Sequence, residues 1–249
     1  MTHISLTVIT LNAEAHIARC LQSVPFAKDV VVVDSGSTDR TVEIAKSLGA
    51  RVFSEEWRGF GPQKRRAGEL AEHDWILNLD ADEALSPAAQ EELQSVLANL
   101  PISTEAFSFP RLSFHMGRWI KHGGWYPDRQ VRLYDRRKVN WSTAALHEKI
   151  QTQRTTALQS PLHHWVFKNL TDQIATNNRY SGLGADELYK TGRRFSLIHL
   201  LVKPWIKFIE VYLWKRGFLD GLPGFIIAVG AGYSVFLKWS KLWEIQITK

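Results

Sequence analysis

The chain has 249 residues, of which 45% are hydrophobic and 22% are charged. This composition excludes an intrinsically disordered chain, and the length suits one sizeable α/β domain with an appendage. The net charge of +6 is uneven, because residues 188–249 carry ten Lys or Arg against three Asp or Glu, whereas residues 1–187 carry 21 against 22. We therefore predict two domains, 1–187 and 188–249.

Cysteine use and the N-terminal sequence bear on the compartment. A single cysteine, Cys20, excludes an internal disulfide. The first residues, MTHISLTVITLNAEAH, lack the basic and then apolar layout of a secretory signal. We therefore expect a reducing, cytoplasmic setting.

Strand and helix patterns alternate along the first third of the chain. The predicted strands are residues 4–10, 29–35, 50–55 and 74–80, and the predicted helices are 12–24, 37–49 and, further on, 86–100. A basic segment broken by Gly and Pro, residues 57–73, separates the third strand from the fourth. This alternation predicts a parallel sheet with right-handed crossovers, whose ligands bind at the carboxyl ends of the strands.

Polar residues follow three of these strands. Thr10 and Asn12 end the first strand, Asp34 ends the second, and Asp80 and Asp82 end the fourth. Because parallel strands bring their carboxyl ends to one edge of the sheet, we expect these side chains to gather there.

The acidic pair in LDADE indicates a metal site, with a solvated turn as the alternative. Asp80 and Asp82 lie one residue apart, so they face the same rim, and Mg²⁺ or Mn²⁺ prefers such hard oxygen ligands. Acidic triplets are also common in solvated turns, and Asp34 fits a solvated-turn residue or a helix cap for the following SGSTD equally well. Lys64 and Arg65 fit either a diphosphate contact or a solvated basic helix face. Together these residues describe a site for a nucleoside diphosphate.

Five spaced segments resemble one protein family. The segments are VITLNAE, VVVDSGSTDRTVEIAKSLGARV, FGPQKRRAGELAEHDWILNLDADE, GGWYPDRQVRLYDRR and LHEKI. They resemble the inverting family 2 glycosyltransferases over most of residues 4–150. Within that family the chain is similar to the lipopolysaccharide or lipooligosaccharide core β-1,4-glucosyltransferases, including the later segment KRGFLDGLPGF. The resemblance implies the GT-A fold of nucleotide-diphospho-sugar transferases, an α/β fold whose mixed, mainly parallel sheet is flanked by helices.

The resemblance also implies a UDP-sugar donor. By position in the family motifs, the residues implied are Thr10, Asn12 and Asp34 for uridine, Lys64 and Arg65 for further donor contacts, and Asp80 and Asp82 as a DxD motif holding Mg²⁺ or Mn²⁺. One position departs from the pattern, since the family often has Asn where this chain has Arg65.

Inverting transfer needs a general base at the acceptor hydroxyl, for which a carboxylate is the usual group. By family position we expect Glu148 to be this base, with Asp128 as the second candidate; a surface ion pair is the alternative for Glu148. His147 is expected either to complete the metal shell or to be structural. Trp125 and Tyr126 are candidates for stacking on a sugar ring, with core packing as the alternative.

The last segment is basic and aromatic. Its longest uncharged run, 221–237, has 17 residues, short of the roughly 20 that a spanning helix needs. Before it, Lys203, Lys207 and Glu210 share one narrow helical stripe and apolar residues cover the remainder, as in an interfacial helix on an anionic leaflet. The open alternatives are a single-pass anchor, and packing against the catalytic domain or a second subunit. Nucleic acid is excluded as a partner because no continuous Lys/Arg face forms.

These expectations combine into one functional hypothesis. We expect a metal-dependent, inverting transferase that moves a sugar, best glucose, from UDP to a lipid-linked saccharide such as a lipopolysaccharide core heptose. It would act as a peripheral protein at the cytoplasmic face of the inner membrane. The alternatives are another nucleotide sugar, a polyprenyl phosphate acceptor, or a non-catalytic nucleotide- or saccharide-binding module. A dinucleotide oxidoreductase fits poorly, because no G-x-G-x-x-G follows the first strand.

Overall fold

The structure is a computed structural model that describes residues 2–101, 103–142, 149–150, 152 and 154–248. It divides into two compact units. The first comprises Met1–Arg111 with Arg129–His164, and the second comprises Leu112–Asp128 with Trp165–Lys249.

The first unit holds most strands and the first four helices. In chain order the elements are β1 (Ile4–Thr10), α1 (Ile17–Gln22), β2 (Asp29–Asp34), α2 (Thr41–Ser47), β3 (Arg51–Ser54), α3 (Phe60–Leu70), β4 (Trp75–Asp80), β5 (Glu83–Leu85), α4 (Pro87–Ala98), β6 (Ala106–His115), β7 (Arg118–Ile120), β8 (Asp128–Asp135), β9 (Thr155–Ala157) and β10 (Leu162–His164). Strand β6 continues from the first unit into the second, and β7 pairs with its end there.

The strands form one mixed sheet in the order β3-β2-β1-β4-β8-β6-β10-β5. Strand β1 is parallel to both β2 and β4, and β2 is parallel to β3. Strand β8 is antiparallel to β4, and β10 is antiparallel to β5. Every residue of β1 is buried, as expected for a central strand covered on both faces. The predicted parallel part of the sheet is therefore confirmed.

Two predicted elements differ from the structure. The helix predicted at 12–24 begins only at Ile17, because the backbone N–H groups of residues 12–14 donate to side chains of the loop after β2 and of the first residue of α2. The segment 57–73, expected to be broken by Gly and Pro, contains the continuous helix α3. Pro62 lies in the first turn of α3, where its missing N–H costs no helical hydrogen bond.

The second unit is mainly helical. Its elements are α5 (Leu170–Lys190), α6 (Leu197–Ile209), a π-helical turn (Glu210–Trp214), a 3-10 turn (Gly217–Asp220) and α7 (Gly221–Thr248). Helices α5 and α6 each begin at a side-chain cap, Asn169 and Ser196 respectively. The domain boundary predicted at residue 187 lies within α5 and stays a prediction.

Helices α6 and α7 form an antiparallel hairpin. Phe208 of α6 contacts Phe225 near the start of α7, and His199 contacts Trp239 near its end. The helices approach closely where Gly232 faces the Pro204 carbonyl, since a Cβ at Gly232 would lie 2.8 Å from that oxygen. By length and composition alone, one helical stretch of the described chain, Gly217–Thr248, could cross a membrane.

Candidate functional site

The carboxyl ends of three strands meet at one edge of the first unit. In the register, Thr10 is paired with Asp34, and Asp80 is paired with Ile9, the residue before Thr10. The ends of β2, β1 and β4 therefore lie side by side, as the parallel pattern predicts.

Asn12 and Asp34 hold two neighbouring loops of this edge together. The Asp34 carboxylate accepts hydrogen bonds from the backbone N–H of Gly36 and Ser37 and from the Ser37 hydroxyl. The Asn12 side chain accepts from the backbone N–H of Thr38 at 2.8 Å, and Asn12 adopts a left-handed φ of 52°. Asp34 is therefore a buried residue that caps this loop, and not a solvated-turn residue or a helix cap, because α2 begins only at Thr41. Nucleotide binding by Asn12 and Asp34 stays a prediction.

Two buried polar atoms at this edge lack a hydrogen-bond partner among the described residues. Within the described part of the chain, neither Thr10 Oγ1 nor Gln63 Oε1 has a hydrogen-bond partner. The Gln63 amide donates to Ser35, the residue after β2, so Gln63 belongs to the same edge as Thr10. Buried polar groups are normally paired, and these two atoms are therefore available to a polar ligand.

A network of buried charges follows β4. Lys64 of α3 contacts one carboxylate oxygen of Asp80 at 2.9 Å, and Arg132 of β8 contacts the other at 2.6 Å. Arg132 also makes two contacts of 2.7 Å with Glu83. The side chains of Lys64 and Arg132 are each only 3% exposed, so Lys64 is not part of a solvated helix face.

This network determines the protonation of Asp80. Burial alone would raise the pKa of the Asp80 carboxyl, but the charges of Arg132 and Lys64 outweigh burial and lower it well below the usual value. Arg132 shows the reciprocal effect. Burial alone would lower the pKa of its guanidinium, but the charges of Asp80 and Glu83 outweigh burial and raise it. Asp80 is therefore ionised at neutral pH with both of its oxygens already paired.

Glu83 belongs to this network as well. The Glu83 side chain is 0% exposed and bonds Arg132, Arg111 and the Asp80 backbone N–H, so it does not cap the helix that follows. Ser86 caps α4 instead, because its hydroxyl accepts from the backbone N–H of Ala89. Glu83 thus helps to hold Arg132 in place beside Asp80.

Asp82 differs from Asp80 in its surroundings. Its side chain is 38% exposed, and one carboxylate oxygen lies 3.5 Å from Nε2 of His164. The carboxylate of Asp82 is the kind of hard oxygen ligand that Mn²⁺ or Mg²⁺ prefers, whereas the imidazole of His164 is a softer ligand than either ion usually takes. Among the described residues no group of three or more His, Cys, Asp or Glu could hold a metal.

The remaining sequence-predicted residues of this site have different outcomes. Arg65 is 46% exposed and lies 3.5 Å from Glu69 on the same helix. It is therefore accessible to solvent, whereas its neighbour Lys64 is buried. His147 and Glu148, predicted as metal ligand and general base, lie outside the described residues.

Sequence patterns did not single out Arg132 and His164. Strand β8 pairs with β4 so that Leu133 is opposite Leu77, which brings Arg132 to the Asp80 carboxylate, and β10 pairs with β5 so that His164 is opposite Glu83. Both contacts join strands far apart in the chain. The local signal for Arg132 was a charge between the apolar residues Val131 and Leu133 in a strand-like run.

In the second unit, a loop leads from β7 to Asp128, the other candidate base. Asp220 anchors this loop, because its buried carboxylate accepts from the backbone N–H groups of Lys121 and His122 at 3.1 and 2.7 Å. Its backbone carbonyl accepts from Arg118 at 2.8 Å. Further along the loop, Trp125 is half-buried and packs against residues of the helical hairpin, including Val211. Trp125 therefore packs in part against a hydrophobic core, which is the alternative to sugar stacking that we expected from the sequence.

Replacing Asp220 should weaken the second unit. We expect Asp220→Ala to lower the free energy of unfolding by about 3 kcal/mol, because two backbone N–H groups lose their buried acceptor. Urea unfolding followed by tryptophan fluorescence measures this change. The exposed Asp186→Ala on α5 is the control and should change stability by less than about 0.5 kcal/mol; equal losses in both variants would contradict the anchoring role.

Comparison with known proteins identifies the family. The model for glycosyl transferase family 2 matches residues 5–158, more than half of the chain. The chain therefore belongs to glycosyl transferase family 2. The GT-A fold class expected from the sequence, with its mixed sheet flanked by helices, is confirmed.

Curated relatives extend the match to nearly the whole chain. The lipopolysaccharide core biosynthesis glycosyltransferase LpsC of Rhizobium meliloti is 31% identical, covering 99% of this chain and 94% of the relative. An uncharacterized glycosyltransferase of Rickettsia typhi is 30% identical, covering 99% and 89%. A solved structure of glucosyl-3-phosphoglycerate synthase from Mycobacterium tuberculosis, with Mn²⁺, UDP and glucosyl-3-phosphoglycerate, is 27% identical over 47% of this chain and 45% of that chain, with a TM-score of 0.37. A likeness at that TM-score supports no conclusion about the ligands of this chain.

Proposed function

We propose that this family 2 glycosyltransferase moves a sugar, best glucose, from UDP to a lipid-linked saccharide such as the heptose of a lipopolysaccharide core, with inversion. The observation that carries the proposal is the buried network of Lys64, Asp80, Arg132 and Glu83, with Asp82 and His164 at its open side. The similarity to a lipopolysaccharide core enzyme over 99% of the chain supports the choice of acceptor class.

On the donor side, the edge residues bind and orient the nucleotide. Thr10 supplies a buried hydroxyl that has no partner among the described residues, and Asn12 and Asp34 fix the backbone of the two loops beside it. Lys64 is held by Asp80 and by the ring of Trp141, with its ammonium 4.7 Å from the ring centroid. The positive charge of Lys64 would stabilise the negative charge that builds on the departing UDP.

Asp82 and His164 would hold a divalent cation, with Asp80 beside them. When bound, Mg²⁺ or Mn²⁺ would neutralise the diphosphate leaving group. Asp80 is the weaker candidate for direct ligation, because Lys64 and Arg132 already occupy both of its oxygens. Its role would be to fix Lys64 and Arg132 around the site.

On the acceptor side, a carboxylate would remove the proton of the attacking hydroxyl. Glu148 is the first candidate by its position in the family motif, and Asp128 is the second. Direct displacement from the face opposite UDP converts the α linkage of the donor into a β linkage. Trp125 and Tyr126, next to Asp128 in the chain, would contact the acceptor sugar.

The lipid-linked acceptor implies contact with a membrane. We place the chain peripherally at the cytoplasmic face of the inner membrane. The exposed apolar residues of the C-terminal segment and its basic charge support contact with a membrane surface.

A donor screen tests the proposal. We expect the purified chain with Mn²⁺ to bind UDP and to transfer glucose from UDP-glucose to extracted core oligosaccharide, read as a mass increase of one hexose. UDP-galactose, UDP-N-acetylglucosamine and GDP-mannose are the competing donors, and a polyprenyl phosphate is the competing acceptor. Binding of UDP without turnover of any donor would favour the non-catalytic module, and no binding of UDP would refute the donor class.

A further inference from the structure

Helix α6 leaves its apolar side chains in solvent. None of its residues is buried, although the helix reads LIHLLVKPWIKFI. The most exposed side chains are Ile198 at 71% and Trp205 at 70%, and Trp214 in the π-helical turn reaches 85%. We name as the α6 face its exposed apolar residues Leu197, Ile198, Leu201, Val202, Trp205, Ile206 and Ile209, continued by Leu213 and Trp214. An apolar surface of this extent marks a site of interaction.

Helix α7 adds a second exposed apolar stripe. Phe225, Val229, Tyr233 and Phe236 are each more than 40% exposed and recur every three or four residues, so they lie along one side of the helix. Because α6 and α7 form a hairpin, both apolar surfaces belong to one structural element. A water-soluble hairpin would bury one of them.

The charges around the α6 face favour an anionic partner. Residues 193–217 contain six Lys or Arg and one acidic residue, Glu210. Glu210 is paired with Lys207 at 3.0 Å and with Lys215 at 2.6 Å, so it offers no net repulsion to an anionic surface. Exposed tryptophans beside basic residues are typical of a helix at the interface of an anionic bilayer.

The packing of α7 argues against a membrane-spanning arrangement. Lys241 of α7 contacts the side chains of Asn178 and Ser181 of α5 at 2.7 and 2.9 Å. Asn177 of α5 donates to the carbonyl of Gly230. One side of α7 therefore packs on a polar helix between Gly230 and Lys241, and a bilayer core would have to accept the charged and amide groups of α5 as well.

We propose that the α6 face lies flat on an anionic phospholipid bilayer, with Trp205 and Trp214 at the level of the headgroups and α7 not crossing the membrane. The inference deepens the proposed function by naming the surface through which the enzyme reaches a lipid-linked acceptor. Membrane binding does not require sugar transfer, so a chain that binds vesicles but transfers no sugar would refute only the proposed function.

Vesicle binding tests the surface. The full chain is sedimented with vesicles of phosphatidylethanolamine and phosphatidylglycerol, and with vesicles of phosphatidylcholine alone. We expect binding to the anionic vesicles, weakened by high salt, and at least about tenfold weaker binding for Ile198→Ser/Trp205→Ser, because two exposed apolar side chains no longer enter the bilayer.

The control is Tyr180→Ser on α5, whose side chain is 57% exposed, and it should bind like the parent chain. Equal binding by the double variant and the control would overturn the proposal. A parent chain that instead self-associates through this face, and becomes monomeric in the double variant, would assign the face to a second copy and also overturn it.

Labelling tests whether α7 stays on one side. Cys20 is 0% exposed, so the parent chain should resist a membrane-impermeant maleimide and serves as the control for Thr248→Cys. We expect vesicle-bound Thr248→Cys to be labelled from outside as completely as the free protein. Protection that is lost only when detergent opens the vesicles would show that α7 spans the bilayer and would refute the flat arrangement.

Discussion

Under the proposed function, Asp82→Asn should reduce metal-dependent turnover of the UDP-sugar by at least about 100-fold, because a bound cation would supply several kcal/mol of charge stabilisation to the leaving group. The loss should appear without loss of folding, since the Asp82 side chain is 38% exposed and lies beside His164 at the open side of the charge network. Turnover is measured at saturating Mn²⁺, and UDP affinity is measured with and without Mn²⁺. In the variant, Mn²⁺ should no longer improve UDP binding.

Two further variants make this result specific. His164→Asn should raise the Mn²⁺ concentration needed for half-maximal activity by about 10-fold or more, as expected when one ligand of several is lost. Glu56→Gln removes an exposed carboxylate of the same unit and should change neither quantity. Full activity of Asp82→Asn would remove Asp82 from the metal site.

Arg132→Met should lower the free energy of unfolding by about 3–5 kcal/mol, because Glu83 and Asp80 keep their charges but lose their buried cation. Arg132 is 3% exposed and Glu83 is 0% exposed, so water cannot replace the lost contacts. Urea unfolding at neutral pH measures the change. Arg40→Met, which breaks a surface pair with Glu43 whose partners are 69% and 65% exposed, is the control and should cost less than about 1 kcal/mol.

The same variant should have a pH signature. The pKa of Asp80 in the folded protein is lowered from its usual 3.8, chiefly by Arg132 and Lys64 against the opposing effect of burial. Its pairing therefore stabilises the fold fully above about pH 4 and is lost as the pH falls through the lowered value. The stability gap between parent and variant should be widest near neutral pH and shrink in acid. A gap that widens in acid would contradict this assignment of the charges.

The sequence predicted the parallel half of the sheet because its signals are local. Each of β1, β2 and β4 is rich in apolar and β-branched residues and ends in polar residues, and parallel pairing alone places those ends at one edge. The predicted helix after β1 starts too early. The spacing of apolar residues does not show that side chains after β2 accept hydrogen bonds from the backbone N–H groups of Asn12 and Glu14.

The site contacts made by the antiparallel strands β8 and β10 could not be predicted from local sequence patterns. Arg132 and His164 reach the acidic residues through strand pairs that join positions about 50 and 80 residues apart, and no local pattern specifies those registers. Burial of Lys64 could not be predicted for a related reason. Consecutive basic residues on a helix are typical of a solvated face, and only the folded structure places Asp80 and Trp141 beside Lys64.

The charge network after β4 has a consequence for the order in which ligands arrive. Asp80, Asp82 and Glu83 bring three negative charges, and Lys64, Arg111 and Arg132, each within 3.3 Å of one of the carboxylates, bring three positive ones. This balanced pocket exerts little long-range attraction on a free cation. Under the proposed function, the metal would therefore enter mainly as a complex with the sugar nucleotide, so the intracellular supply of charged donor, more than that of free metal, would set how often the site is filled.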